Sequence, residues 1–242
     1  MRVALISDLH GNALALEQVL GRIKRTGVDQ IVCLGDVATL GPEPVRTIEL
    51  LYESAAICIL GNHDEFMLRP DLVTGYTSIP VLLAAVDWCR TQLSAASVDF
   101  IRAFRSSCEL PLSQVETLLA FHGTPSSNTT DLLATTDPAE VENWVGSVAG
   151  TVLAGGHTHV QMLRQHRGRL LVNPGSVGMP FREYVAGAPP EVLPHAEYAV
   201  VEADAKSVNV SLQRVALDKE HLRRSVLDVD YPLRAFLATA YA

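Results

Sequence analysis

The sequence predicts an α/β protein built on two sheets. Between Val3 and Asn62, three short apolar runs alternate with two amphipathic segments of helical period. That order predicts a β-α-β-α-β unit with a parallel sheet and right-handed crossovers. Strand-like runs return after residue 106 in more mixed company, which predicts a second sheet that is mixed or antiparallel.

Val3–Ser7 reads as a fully buried strand. Leu14, Leu16, Val19, Leu20 and Ile23 recur at helical spacing, and Gly27 stops that helix. Gln30–Leu34 is a second strand, ended by Gly35-Asp36. Pro44–Ser54 is helical, with Val45, Ile48, Leu51 and Tyr52 on one side. Ala55–Leu60 is a third strand, ended by Gly61-Asn62. Residues 65–106 read mostly as helices, broken at Arg69-Pro70-Asp71 and at Gly75, forming a cap or flank. Later strands are expected at Val115–Phe121, Thr151–Ala154, Leu170–Val172, Glu197–Glu202 and Val208–Arg214, with a terminal helix over Pro232–Tyr241. With no repeat or clear linker, residues 1–242 read as a single domain.

At 48% apolar residues, the chain can bury a sizeable core. Acidic residues exceed basic ones, 27 against 19, for a formal net charge of −8. Long nucleic acids and anionic membranes, which want a basic face, are therefore not expected partners. The longest apolar stretch, Ile79–Val86, is too short to cross a bilayer, and Met1-Arg2 leads straight into a strand, so a cytoplasmic protein is expected. The composition is compatible with a homo-oligomer. None of the cysteines forms a CxxC pair, and Cys33 and Cys58 read as buried reduced thiols.

Polar residues gather where the apolar runs end: Asp8-x-His10, Gly35-Asp36, Gly61-Asn62-His63-Asp64, His122-Gly123 and Gly155-Gly156-His157-Thr158-His159. Open α/β sheets collect ligands at the carboxyl ends of their strands. Two carboxylates, an amide and four imidazoles (Asp8, Asp36, Asn62, His10, His122, His157, His159) are too many donors for one tetrahedral zinc. They suit two divalent ions about 3.5–4 Å apart. Each fragment alone has a plainer reading as a helix cap, a turn or alternate residues of a strand. Five in order, each after an apolar run, point to a site. His166, His195 and His221 fall outside them and read as surface residues.

In that order, D-x-H, G-D, G-N-H-D, H and G-H-T-H resemble the calcineurin-like metallophosphoesterases, from Met1 to about Val201. "SDLHGN", "LGDVATLGPEP" and "NPGSVGMP" resemble the small bacterial and archaeal phosphodiesterase branch. The resemblance implies a four-layer α-β-β-α sandwich of two mixed sheets with a dimetal site at the strand ends. It implies Asp8, His10, Asp36 and His159 on one ion and Asp36, Asn62, His122 and His157 on the other, with Asp36 bridging. The acid many relatives carry in G-D-x-x-D is absent here, where Val37-Ala38-Thr39-Leu40 follows Asp36.

The chemistry expected is hydrolysis of a small phosphodiester by in-line attack of a hydroxide bridging the two ions. The donors suit manganese, iron, zinc, nickel or cobalt, with manganese favoured. His63, outside the ligand set, is the candidate to protonate the leaving oxygen or stabilise its charge, and Asp64 to orient His63. Asn12 either caps the first helix or meets the substrate. Arg182 either meets a phosphate oxygen or is a solvated surface residue. The glycines of Asn173–Pro180 are expected to leave room for a second ester group. Rival readings are a phosphomonoesterase or nucleoside polyphosphate hydrolase on the same site, and a metal-binding scaffold without turnover. The ligand set leads to a direct test. Elemental analysis of active, metal-supplemented protein should find two divalent ions per chain, and Asp36→Asn should deplete both. One ion or none in an active sample would refute the dinuclear reading.

Overall fold

Val3–Ile6 contains no polar residue, so neither face of a strand there suits water. In the computed structural model, which describes all 242 residues, this run is the central strand of a sheet and is fully buried. The first unit is β1 (Arg2–Ile6), α1 (Ala13–Thr26), β2 (Gln30–Cys33), α2 (Pro44–Glu53) and β3 (Ile57–Cys58). Four helices follow: α3 (Asn62–Leu68), α4 (Val73–Tyr76), α5 (Pro80–Gln92) and α6 (Ala95–Arg102). The remainder is β4 (Cys108–Pro111), β5 (Thr117–Ala120), α7 (Pro138–Val145), β6 (Val152–Ala154), β7 (Met162–His166), β8 (Arg169–Asn173), β9 (His195–Ala203), β10 (Val208–Ala216), α8 (Lys219–Leu227) and α9 (Arg234–Ala240).

Strand alternation divides the interior into layers. Val3 and Leu5 point between the two sheets, against Leu118, Ala120, Val152 and Ala154. Ala4 and Ile6 point the other way, under Leu16, Val19 and Ile23 of α1. On the far side of the second sheet, Leu119, Phe121 and Leu153 pack on Val141 and Val145 of α7. The order helices, sheet, sheet, helix is the expected four-layer sandwich.

One expectation about the sheets is corrected. The last two strands do not join the second sheet. β9 runs antiparallel to β1, with Leu5 opposite Ala199, and the first sheet reads β10-β9-β1-β2-β3. The second reads β4-β5-β6-β8-β7. Alternation tells which faces are buried and is blind to which strand lies alongside. The sequence reading also passed over β4, β7, α7 and α8. β4 and β7 are edge strands with polar faces, and α7 and α8 each bury only two residues. The third strand is shorter than expected, and beyond it the Ile59 N–H donates to Cys33 O on one side (2.8 Å) while Ile59 bridges Arg105 on the other.

Candidate metal centre

The chain leaves its central strands in a conformation that side chains avoid. Asp8, His10, Asp36, His157 and His159 have φ of 54°, 43°, 60°, 69° and 59°. Each such residue costs on the order of 1 kcal/mol, and clusters of them mark functional sites. Backbone pairing holds them there. The N–H of Asp8 donates to Gly35 O (2.9 Å) and that of His10 to Asp36 O (2.9 Å), so the exits of β1 and β2 stay zipped beyond the strands. The segment Asn173–Pro180 lies across the same exit, where Val177 N–H meets Ser7 O (2.9 Å), Gly178 N–H meets Asp8 O (3.0 Å) and Ser176 Oγ donates to Asp8 O (2.7 Å).

These exits bring the predicted ligands together. Asp8, His10 and His159 present ligand atoms within 4.8 Å of one another, and Asp36, His122 and His157 do likewise. Asp36 faces both groups, with Oδ2 3.8 Å from His10 Nε2 and 3.4 Å from His122 Nε2. Its other oxygen accepts the N–H of His63 (2.9 Å), which fixes the carboxylate plane. Asn62 Oδ1 lies 3.0 Å from His122 Nε2, so the amide joins the second group. Backbone carbonyls set the imidazoles. Leu34 O is 2.7 Å from His122 Nδ1 and Met179 O is 2.7 Å from His159 Nδ1. A carbonyl only accepts, so Nδ1 carries the proton and Nε2 turns to the cluster, as metal-ligating histidines are commonly held.

The charges fit a cation. Burial alone would raise the Asp8 carboxyl, yet His159 and His122 hold it down at about 2. Burial opposes ionisation of Asp36 too, and His122, His63 and His10 outweigh it, so its value lies well below the ordinary one. Burial would lower His122, but Asp36 pushes it up to about 9. His159 rises likewise against its burial because of Asp8. His10 drops to about 3 through burial and the charge of His159. Two buried carboxylates thus take their positive charge from imidazoles alone. Nε2 of His10 and of His159 stand 3.0 Å apart, and Asp8 Oδ1 has no hydrogen-bond partner. Converging lone-pair atoms with an orphaned carboxylate oxygen are a donor set suited to divalent ions.

Other predicted site residues fare differently. His63 stands at the cluster without joining either group, edge-on to His10 with ring centroids 5.1 Å apart, and its Nδ1 has no partner. Asp64 does not orient it. The Asp64 carboxylate accepts the N–H groups of Asp36 (2.8 Å), Val37 (2.9 Å) and Gly61 (3.0 Å), clamping the exit of β2 to that of β3. Burial and the nearby Asp36 charge raise it to about 7. Asn12 caps α1 by accepting from Ala15 N–H (3.0 Å) and donates to Gly178 O (3.0 Å), so both ends of its amide are engaged within the protein. Arg182 lies outside the cavity at the cluster, paired with Glu191 at 2.5 Å. The segment Asn173–Pro180 borders the site through Met179, but its glycines leave no room for an ester group. A Cβ on Gly178 would strike Leu9 O, and one on Gly175 would strike Glu197. His166 is buried against Glu142 at 2.8 Å and is not a surface residue.

Three residues at the site escaped the sequence reading. Thr39 is buried with Oγ1 3.3 Å from His10 Nδ1. Phe181 stacks on His159, ring centroids 4.2 Å apart. Asp131 Oδ1 lies 3.3 Å from His157 Nε2, and its other oxygen accepts from Tyr184 Oη (2.5 Å). Asp131 sits in a loop with no apolar run before it, so strand-end reasoning had no purchase there. Carboxylates behind a ligating histidine are commonly worth ten-fold or more in metal affinity. Asp131→Asn should therefore weaken metal binding by about ten-fold in chelator competition, with circular dichroism unchanged. Unaltered metal affinity would confine Asp131 to anchoring Tyr184.

Comparison with known proteins agrees with this geometry. The sequence profile of the calcineurin-like phosphoesterase superfamily domain matches residues 1–206. An uncharacterized protein of Methanocaldococcus jannaschii is 23% identical over 222 residues, covering 89% of this chain and 88% of that one. A symmetrical bis(5'-nucleosyl)-tetraphosphatase of Pseudomonas putida is 29% identical over 105 residues, but the match spans only 38% of this chain and 36% of that enzyme. Among solved structures, a metallophosphoesterase from Sphaerobacter thermophilus superposes with a TM-score of 0.74 at 26% identity, covering 99% of this chain and 100% of that one. A hypothetical protein from Pyrococcus horikoshii shares the fold with a TM-score of 0.78 at 20% identity, covering 98% and 97% of the two chains. With its profile match over most of its length and its ligand atoms gathered from strand exits of both sheets, the chain belongs to the calcineurin-like phosphoesterase superfamily.

Proposed function

We propose that this protein is a dinuclear metal-dependent phosphoesterase that hydrolyses small phosphodiesters. The observation that carries the reading is Asp36, whose Oδ2 faces ligand groups on both sides. Asp8, His10 and His159 would hold one divalent ion with Asp36, and Asn62, His122 and His157 the other. Manganese is the favoured metal. Bound there, the pair supplies Lewis acidity to the phosphoryl oxygens and acidifies a water nucleophile. The chain's own residues do the rest. Asp36 and Asp8 set the charge of the site, the zipped strand exits keep the donors in place, and His63 stands on the cavity floor to meet the leaving oxygen.

The choice of a diester rests on charge. A phosphomonoester carries close to one more negative charge than a diester near neutral pH. No lysine or arginine lines the cavity to answer it. The partial similarity to a tetraphosphatase supports a second reading, hydrolysis of a nucleoside polyphosphate. A chain of phosphates needs still more cationic contacts, so the diester is the better match to this cavity.

Two measurements test the proposal. With metal and pH held constant, kcat/KM for bis-nitrophenyl phosphate should exceed that for nitrophenyl phosphate. A clear monoester preference would overturn the diester assignment. Faster turnover of diadenosine tetraphosphate would favour the polyphosphate reading, and bound metal without turnover of any ester would favour a scaffold. His63→Ala should cost far more activity on alkyl or nucleoside esters than on a nitrophenyl ester, whose leaving oxygen needs little help. Metal content should be retained. Equal losses on both would place His63 on the phosphoryl group instead, and loss of metal would make it a ligand.

A further inference from the structure

We infer that the cavity beside the ligand cluster receives an apolar, aromatic ester arm of the substrate, and that this contact selects the substrate. The inference rests on the phosphoesterase reading above and narrows its substrate class.

The cavity has a volume of about 350 Å³, within the range of small-molecule sites. Its floor is His10, Asp36, His63, His157 and His159, so it opens directly onto the candidate metal ligands. Its walls are of another character. Tyr76, Ile79 and Leu82 come from the helical flank, Phe181 and Val185 from the segment after β8, and Phe236 from α9. The one charged residue on the walls is Asp131, and its carboxylate is already engaged by Tyr184 and His157. An anionic arm would find no cationic side chain on these walls.

Exposure argues the same way. Scattered apolar residues on a surface are ordinary. Here Tyr76, Ile79 and Val185, 45%, 47% and 37% exposed, converge on one cavity. The rings reach the floor. Phe181 stacks on His159 at 4.2 Å between centroids, and Tyr76 lies 6.1 Å from His63 and 6.4 Å from His157. A phosphoryl group seated among these histidines would have an ester substituent within reach of two aromatic faces, where an aryl group gains area burial and ring contacts together.

The test needs no turnover. Calorimetry on the metal-loaded protein would compare dimethyl phosphate with diphenyl phosphate, which share one charge and differ in their arms. Diphenyl phosphate should bind at least about ten-fold more tightly, since even one methylene in an apolar pocket is worth about that. The double variant Ile79→Ser/Val185→Ser should cut this ratio several-fold with metal content retained. Neither residue belongs to the ligand groups, and serine at position 79 suits the N-cap of α5. Equal affinities for the two ligands, or a ratio unmoved by the double variant, would overturn the inference. Failure to hydrolyse any phosphate ester with any metal would sink the phosphoesterase reading alone, because the affinity ratio is read independently of catalysis.

Discussion

Two carboxylates, Asp8 and Asp36, lie buried at one sheet rim with only imidazoles to answer their charge. A buried unpaired carboxylate costs several kcal/mol, so the surroundings must supply positive charge or a cation. Four histidines converge on the two acids, drawn from strand exits far apart in the chain. Asp36 stands between the two groups, and through it the charge of each depends on the other.

Converging seven side chains from strand ends takes a backbone that would not form unaided. Five of the donors sit at positive φ without being glycine. The surrounding structure over-determines them, as strained positions require. Asp64 pins the exit of β2 to that of β3 with three hydrogen bonds. The buried segment Asn173–Pro180 pins the exit of β1 and lends the Met179 carbonyl to His159. The close approach of Gly178 to Leu9 O shows why this segment carries a glycine there. Asn12, a candidate substrate contact in the sequence, instead joins α1 to Gly178 within this frame.

Around this rigid polar floor, the walls come from apolar side chains that are not themselves ligand candidates. The helical flank, the segment after β8 and α9 contribute apolar side chains to one cavity. Polar floor and apolar wall meet at Phe181 and Tyr76, whose rings face the site histidines.

The first three strands, the helices between them and all seven ligand candidates were legible because their signals are local. An apolar run that ends abruptly in glycine and a histidine, aspartate or asparagine marks both the strand and the donor at its tip. The unbroken apolar run of β1 likewise told that this strand would be buried on both faces. Pairing is not local. Whether β9 lies beside β1 or in the second sheet depends on contacts nearly two hundred residues apart, which alternation does not encode. The same holds for Asp131 behind His157, Phe181 on His159 and Thr39 behind His10. It holds too for Asp64, whose neighbour in sequence is His63 but whose partners are the backbone N–H groups of Gly61, Asp36 and Val37. Donor chemistry was written in residue type and spacing. The partners of those donors, and the apolar walls beside them, were decided only when the sheets closed, because a side chain's neighbours are set by strand order and loop path rather than by its place in the chain.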